Sequence, residues 1–91
     1  MPVRLNLHGM VQGVCCRYYC SLYAQYFQIH GAASNLFDGT VEVLLDCDDS
    51  QRINQYCLAL QTNPQNYMFY GKINHIDKQK YSGTISGDYQ F

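Results

Sequence analysis

Residues 9–17, with the sequence GMVQGVCCR, combine residue types that could bind an anion. Gly9 and Gly13 allow backbone conformations closed to other residues, so successive N–H groups of this segment can point inward. A helix that begins near Cys16 would add unpaired N–H groups and a dipole equivalent to about half a positive charge. Arg17 would oppose that dipole in the first helical turn unless a dianion lies between them, and its guanidinium matches phosphate oxygens. The predicted phosphate-binding residues are Gln12, Gly13, Val14, Cys15, Cys16 and Arg17.

A second polar residue, Asn35, lies near the end of a predicted strand in the segment AASNLFDG. Its amide can accept one hydrogen bond and donate another, so it could hold a water molecule. Simpler interpretations remain open from these residues alone. Asn35 could satisfy its own turn, and Arg17 could be a solvated side chain beside an ordinary strand-to-helix turn.

Two other candidates for chemistry lie beside or within the glycine segment. His8 could act as a base, but strand alternation places it on the polar face of the first strand. Cys15 and Cys16 suggest a covalent mechanism, yet the Cys-x5-Arg spacing of cysteine phosphatases is absent, so packing is the favoured role. Arg17 and Asn35 therefore remain the main candidates for catalysis.

The composition excludes several classes of function. The net charge is −1 with only six Lys and Arg residues, which gives no electrostatic footprint for nucleic acid. No apolar run could span a bilayer, and MPVRLNLHG shows no signal-peptide pattern, so we expect a cytoplasmic protein without a membrane partner. The five cysteines show no CxxC spacing, so we predict no metal site and mostly buried free thiols, with one disulfide still possible. We expect one domain over residues 1–91, acting as a monomer without a cofactor.

The hydrophobic periodicity predicts the elements that would position these residues. Alternation places Val3, Leu5 and Leu7 on one face of a first strand, and a helical period follows from about Cys16 to Gln28. Asp38-Gly39 accepts the positive φ angles of a tight hairpin reversal. A second helix carries apolar residues at helical spacing, and a fourth strand in KINHI departs from strict alternation, as a bulge would. The residues expected to face the core in the third strand and second helix are Val41, Val43, Leu45, Ile53, Tyr56, Cys57 and Leu60.

The order β-α-β-β-α-β predicts an α+β fold of the ferredoxin-like type, with two helices on one face of a mostly antiparallel sheet. A short last strand containing Tyr89 and Phe91 is also predicted. The nine tyrosines suit such a sheet, because each ring buries area while its hydroxyl reaches solvent.

The residues from Gly9 to Arg17, followed by Ala24, Gly31, Asn35 and DGTVEV from Asp38 to Val43, resemble the acylphosphatase signature. The resemblance covers residues 3–45, and G-x-V-Q-G-V-x-x-R followed by N-x-x-D-G is far more specific than a lone glycine motif. It implies a small enzyme that hydrolyses acyl phosphates, in which Arg17 and loop amides bind the phosphate and Asn35 positions the attacking water. Inorganic phosphate would be one product.

The chemistry of the leaving group supports the same substrate class. No Asp or Glu lies in the loop to protonate a poor leaving group. An acyl phosphate expels a carboxylate, whose conjugate acid has a pKa of about 4, so it can leave unprotonated. Positioning and charge stabilisation then suffice.

Cys16, Gln28, Ala32 and Cys47 depart from the residues usual in the acylphosphatase family. Gln28 stands where glycine commonly ends the first helix, and a left-handed conformation there would cost on the order of 1 kcal/mol. Cys16 replaces an aromatic residue at the base of the loop, which bears on loop rigidity. The alternative function is a phosphate-binding or acyl-phosphate-binding module of the same fold without fast turnover; RNA binding on the open sheet face ranks last.

Overall fold

The computed structural model describes residues 2–91, in which two helices pack against a five-stranded sheet. The elements in chain order are β1 (Val3–Met10), α1 (Cys16–Tyr26), β2 (Gly31–Asn35), β3 (Val41–Leu45), α2 (Ser50–Thr62), β4 (Lys72–Lys80) and β5 (Tyr89–Gln90). The strands lie in the order β4-β1-β3-β2-β5, and every pairing is antiparallel. This arrangement confirms the predicted ferredoxin-like fold and the predicted short last strand, which is β5 at the edge beside β2 and ends before Phe91.

The sheet buries the alternate residues that its sequence pattern indicates. In β1 and β3, the side chains of Leu5, Leu7, Val41, Val43 and Leu45 are fully buried against the helices. The pairing of Leu5 with Val43 and Leu7 with Val41 places these residues on one face, as side chains directly opposite each other must be. The core therefore lies between this face and the two helices.

Tyrosine rings fill the helical layer of the core. Tyr19, Tyr23 and Tyr56 have no exposed surface. The Tyr19 hydroxyl donates to the Leu60 carbonyl at 2.7 Å, and the Tyr56 hydroxyl donates to the Cys20 carbonyl at 2.8 Å. The expectation that tyrosine hydroxyls reach solvent is wrong for these three, because they lie on the inward faces of their helices and find backbone partners there.

The hairpin between β2 and β3 reverses at Asp38-Gly39, as predicted, but the two residues behave differently. Only Gly39 has a positive φ, at 90°, and this conformation favours glycine. Asp38 instead uses its carboxylate, which accepts from the Thr40 N–H at 3.0 Å and the Thr40 hydroxyl at 2.6 Å. These hydrogen bonds lower the pKa of Asp38, because they stabilise its ionised form.

Two irregularities occur in the remaining elements, one between β1 and β4 and one at the end of α1. The register between β1 and β4 shifts where His8 pairs with His75 and Gly9 pairs with Ile73, so Asn74 is the extra residue of a bulge. This confirms the bulge predicted in KINHI. Helix α1 ends at Tyr26, two residues before the predicted end, since Gln28 adopts a left-handed conformation with φ of 58°.

Residues 81–88, called here the crossover segment, connect β4 to β5 at opposite edges of the sheet. Gly87 packs against Ala32 and Ser34, whose side chains lie on the sheet face away from the helices. Leu44 lies on that same face and is only 3% exposed. The crossover segment therefore covers part of the second sheet face and delivers β5 to the edge beside β2. Within residues 2–91, neither α1 nor α2 is both long and apolar enough to cross a membrane.

Candidate active site

A cleft of about 250 Å³ opens between the glycine loop, the start of α1 and the end of β2. Its lining residues are Val11, Gly13, Cys15, Cys16, Arg17, Tyr18, Asn35 and Tyr89. Arg17 and Asn35 thus lie in one cavity, although they belong to different elements. The structure also brings three of the predicted loop residues, Gly13, Cys15 and Cys16, to the same cavity.

The loop reaches α1 through two left-handed residues. Gly13 has a φ of 73° and Cys15 has a φ of 64°, so the chain curls immediately before Cys16, the first residue of α1. The helix start has no side-chain cap and no acidic residue in its first turn. Because the first N–H groups of a helix have no partner within it, this helix start can donate hydrogen bonds to an anion.

Gln12 and Val14 brace the loop from outside the cleft. The Gln12 side-chain amide donates to the carbonyls of Leu36 at 2.6 Å and Thr40 at 2.9 Å, which ties the loop to the β2–β3 hairpin. The Val14 carbonyl accepts from the Tyr70 N–H at 3.3 Å, and the Val14 side chain packs against the core. Their predicted role as phosphate ligands through backbone N–H groups stays a prediction.

Asn35 is the last residue of β2 and pairs with Val41. Since Val41 faces the core, the Asn35 side chain extends on the helix side of the sheet, where it reaches the cleft. Across residues 2–91, the structure shows no hydrogen bond from its side-chain amide. The amide is therefore available to a water molecule or a ligand in the cleft.

Among residues 2–91, Arg17 forms one ion pair, with a partner that no sequence pattern indicated. The Arg17 Nη1 atom lies 3.6 Å from Oδ2 of Asp88, in the crossover segment. The same Asp88 oxygen accepts a hydrogen bond from the Asn35 backbone N–H at 3.2 Å. One carboxylate therefore contacts both residues to which catalysis was assigned.

Two tyrosines also border the cleft. The rings of Tyr18 and Tyr89 meet edge to face, with centroids 6.4 Å apart, and they are 50% and 37% exposed. The sequence predicted Tyr89 as a strand residue and gave Tyr18 no role. Tyr89 reaches the cleft because β5 pairs with β2, where Tyr89 lies opposite Ala33.

The alternative base lies outside the cleft, and the alternative nucleophiles Cys15 and Cys16 line it without the Cys-x5-Arg spacing of cysteine phosphatases. His8 lies on the sheet face away from α1, with its Nε2 atom 2.8 Å from Asp77, and it does not line this cleft. All five thiols are free. Cys16, Cys20 and Cys57 are buried as predicted, whereas Cys15 is exposed and Cys47 is partly exposed.

Comparison with known proteins shows which family this chain resembles. A family model described as Acylphosphatase matches residues 3–90. A protein of Corynebacterium glutamicum strain R named acylphosphatase is 35% identical over 79 residues, covering 85% of this chain and 83% of that protein. One from Deinococcus radiodurans with the same name is 34% identical over 79 residues, covering 87% of this chain and 85% of that protein.

A solved structure shares the fold. The crystal structure of acylphosphatase from Bacillus subtilis superposes with a TM-score of 0.72 at 24% sequence identity. The match covers 94% of this chain and 93% of the other. The order of strands and helices that places the loop beside the end of β2 is therefore not peculiar to this sequence.

Proposed function

This chain belongs to the acylphosphatase family, and from that premise we propose how its own residues hydrolyse an acyl phosphate. The observation that carries the proposal is that Arg17 and Asn35 line one cleft with the curled loop that begins α1. A cation, unpaired N–H groups and a free amide are the groups that this hydrolysis needs.

The phosphoryl group occupies the curl of the loop. The N–H groups of residues 12–16 and the positive end of the α1 dipole stabilise its charge, and the Arg17 guanidinium binds two of its oxygens. Charge develops on these same oxygens during transfer, so donors fixed in advance lower the barrier without reorganising.

Asn35 orients the attacking water. Its amide accepts one hydrogen bond from the water and directs the oxygen lone pair at phosphorus, opposite the acyl oxygen. The water oxygen forms the new bond to phosphorus as the bond from phosphorus to the acyl oxygen breaks. The carboxylate leaves with the bonding electron pair, and a phosphoryl oxygen takes the proton of the water. The products are a carboxylate and inorganic phosphate.

The substrate itself makes this small set of groups sufficient. A carboxylate leaving group has a conjugate acid with a pKa of about 4, so it needs no proton from the enzyme. Alkyl phosphates, with far more basic leaving groups, would need a general acid, and no Asp, Glu, His or Lys is among the described residues that line this cleft.

Hydrolysis of benzoyl phosphate by the purified chain tests the proposal. We expect turnover by the wild type and a loss of about 10²–10³ in kcat/KM for both Arg17→Ala and Asn35→Ala, since each removes a preorganised group. The matched controls are Arg4→Ala, which removes an arginine paired with Glu42 on the sheet, and Asn54→Ala on α2. Both should keep wild-type rates.

Each variant can overturn one assignment. Full activity in Arg17→Ala would remove the proposed phosphate clamp, and full activity in Asn35→Ala would remove the proposed role in water attack. A wild type that gains thermal stability from phosphate but hydrolyses no benzoyl phosphate would be a binding module, and the proposed reaction would be wrong.

A further inference from the structure

Asp88, in the crossover segment, contacts Arg17 and Asn35 without lining the cleft. We propose that Asp88 is a positioning residue for the reaction: its carboxylate holds the Arg17 guanidinium and the end of β2 in the arrangement that phosphoryl transfer requires. This inference rests on the proposed function, because it assigns a role through Arg17 and Asn35 rather than through substrate.

The carboxylate of Asp88 is itself fixed in place. The Asp88 backbone N–H donates to the Ser34 hydroxyl at 3.0 Å, and Asp88 Oδ2 accepts from the Asn35 N–H at 3.2 Å. These two hydrogen bonds join Asp88 to adjacent residues of β2. The negative charge is therefore held at the strand end beside the cleft, although the Asp88 side chain is 52% exposed.

Arg17 needs such a partner. It lies in the first turn of α1, where the helix dipole disfavours a cation, and its long side chain is 41% exposed. Without an anion nearby, the guanidinium would extend into solvent and sample many rotamers before substrate binds. Asp88 supplies a permanent anion on one side of Arg17, which favours the rotamers that keep the guanidinium at the cleft.

The geometry leaves Arg17 able to bind phosphate at the same time. The Arg17 Nη1 and Asp88 Oδ2 atoms lie 3.6 Å apart, which is close enough for an ion pair but longer than a hydrogen bond. The guanidinium has five N–H donors in a planar fork, so its other edge can bind two phosphoryl oxygens. Among residues 2–91, Asp88 is not one of those that line the cleft, so its carboxylate does not occupy the space of the phosphoryl group.

This placement predicts that loss of the Asp88 charge lowers kcat without weakening the binding of inorganic phosphate. Removing the carboxylate charge releases Arg17, which should lower kcat, because small misplacements of a reacting group are costly. The same change removes a negative charge near a dianion, so binding of inorganic phosphate should stay equal or become tighter. If Asp88 had only a structural role, its removal would lower kcat, phosphate affinity and thermal stability together.

The test compares Asp88→Asn and Asp88→Ala with the wild type. Asp88→Asn keeps an oxygen that can accept from the Asn35 N–H and loses only the charge, whereas Asp88→Ala loses both. We expect kcat for benzoyl phosphate to fall about tenfold in Asp88→Asn and further in Asp88→Ala. The Kd for inorganic phosphate, from isothermal titration calorimetry, should not rise in Asp88→Asn. Asp46→Asn is the control, since Asp46 follows the other end of β3 from the cleft.

Two results would overturn the inference: a kcat for Asp88→Asn within twofold of the wild type, or a phosphate Kd that rises in step with the loss of kcat. Either result would leave the proposed function standing as long as Arg17→Ala is inactive. Absence of turnover in the wild type would instead refute the proposed function, and this inference with it.

Discussion

Arg17 lies at a helix terminus where only anions stabilise its charge, and the fold provides one of them in Asp88. The second anion would arrive with each substrate. Asp88 also contacts Asn35: the Asn35 backbone N–H donates to the Asp88 carboxylate, while the Asn35 side-chain amide remains open to the cleft. The protein thus fixes one edge of the Arg17 guanidinium and the backbone of Asn35. The other edge of the guanidinium and the Asn35 side chain are left for the reaction.

Arg17→Lys is predicted to fail despite keeping the positive charge. Lysine offers a point charge on a flexible stem, so it cannot bind two phosphoryl oxygens in a plane. We expect kcat/KM for benzoyl phosphate to fall about 10²-fold. Steady-state kinetics would check this, with Lys72→Arg on β4 as the reverse exchange away from the cleft. A lysine variant within threefold of the wild type would contradict a planar clamp.

Residue type and local spacing make Arg17 and Asn35 candidates, because a cation at a helix start is unusual, and the resemblance to the acylphosphatase signature implies their roles. Asp88 and Tyr89 carried no such signal. Tyr89 reaches the cleft, and Asp88 reaches Arg17 and Asn35, only through the pairing of β5 with β2, and Asp88 lies 53 positions from Asn35 in the chain. Contacts of that range depend on topology, which hydrophobic periodicity does not encode.

At the scale of the elements, hydrophobic periodicity predicts helices and strands, whereas the partners of particular side chains depend on the whole fold. Both helices, β1 and β3 follow from their apolar periods, whereas β2 follows from the hairpin signal at Asp38-Gly39 and β4 departs from strict alternation. The expectation that tyrosine hydroxyls reach solvent was wrong for Tyr19 and Tyr23, because their hydroxyls have partners on other segments, which the helical period does not indicate. Tyr19 also stacks on Phe69 with ring centroids 4.3 Å apart, and Phe69 lies in the α2–β4 connection, where no period exists.

Gln28, just after α1, is predicted to be a site of strain that glycine would relieve. Its φ of 58° is disfavoured for a residue with a Cβ atom, whereas glycine adopts it freely. The Gln28 carbonyl, which accepts from Arg52 Nη2 at 3.0 Å, is unaffected by the change. We expect Gln28→Gly to raise the free energy of unfolding by about 0.5–1 kcal/mol, measured by urea denaturation.

The matched control for this prediction is Gln25→Gly, at an exposed position within α1. Glycine inside a helix should lower the free energy of unfolding by about 1 kcal/mol. If Gln28→Gly destabilises the fold to the same extent as Gln25→Gly, the left-handed conformation carries no strain.

At the scale of the whole molecule, the core contains ionisable hydroxyls in place of purely aliphatic side chains. Burial raises the pKa of Tyr19 and of Tyr56 above the usual value for tyrosine. Burial also raises the pKa of the Cys57 thiol. The core is therefore neutral at physiological pH and resists ionisation in the folded state.

This core predicts a loss of stability at alkaline pH. Below pH about 10, Tyr56 is protonated in both the folded and the unfolded chain, and its contribution is fully present. Above that pH the unfolded tyrosine ionises while the folded one stays neutral, so the free energy of unfolding falls by at most about 1.4 kcal/mol per pH unit for this group. Urea denaturation between pH 7 and pH about 11 would measure the slope.

Tyr56→Phe provides the comparison for the alkaline slope. It should lower the free energy of unfolding at neutral pH by about 1 kcal/mol, because the Cys20 carbonyl loses its donor. Its curve should then fall less steeply above pH about 10 than that of the wild type. Tyr70→Phe, which changes a ring that is 67% exposed, is the control. Equal slopes in all three proteins would contradict the assignment to Tyr56.

The crossover segment also has a kinetic consequence. It connects opposite edges of the sheet, and the interior strand β1 pairs with β4, where His8 and Asp77 are 69 positions apart. Closing such long loops is slow compared with forming helices, so the cleft is completed only when nearly all distant pairings exist. After dilution from denaturant, catalytic activity would therefore return only with the final folding phase.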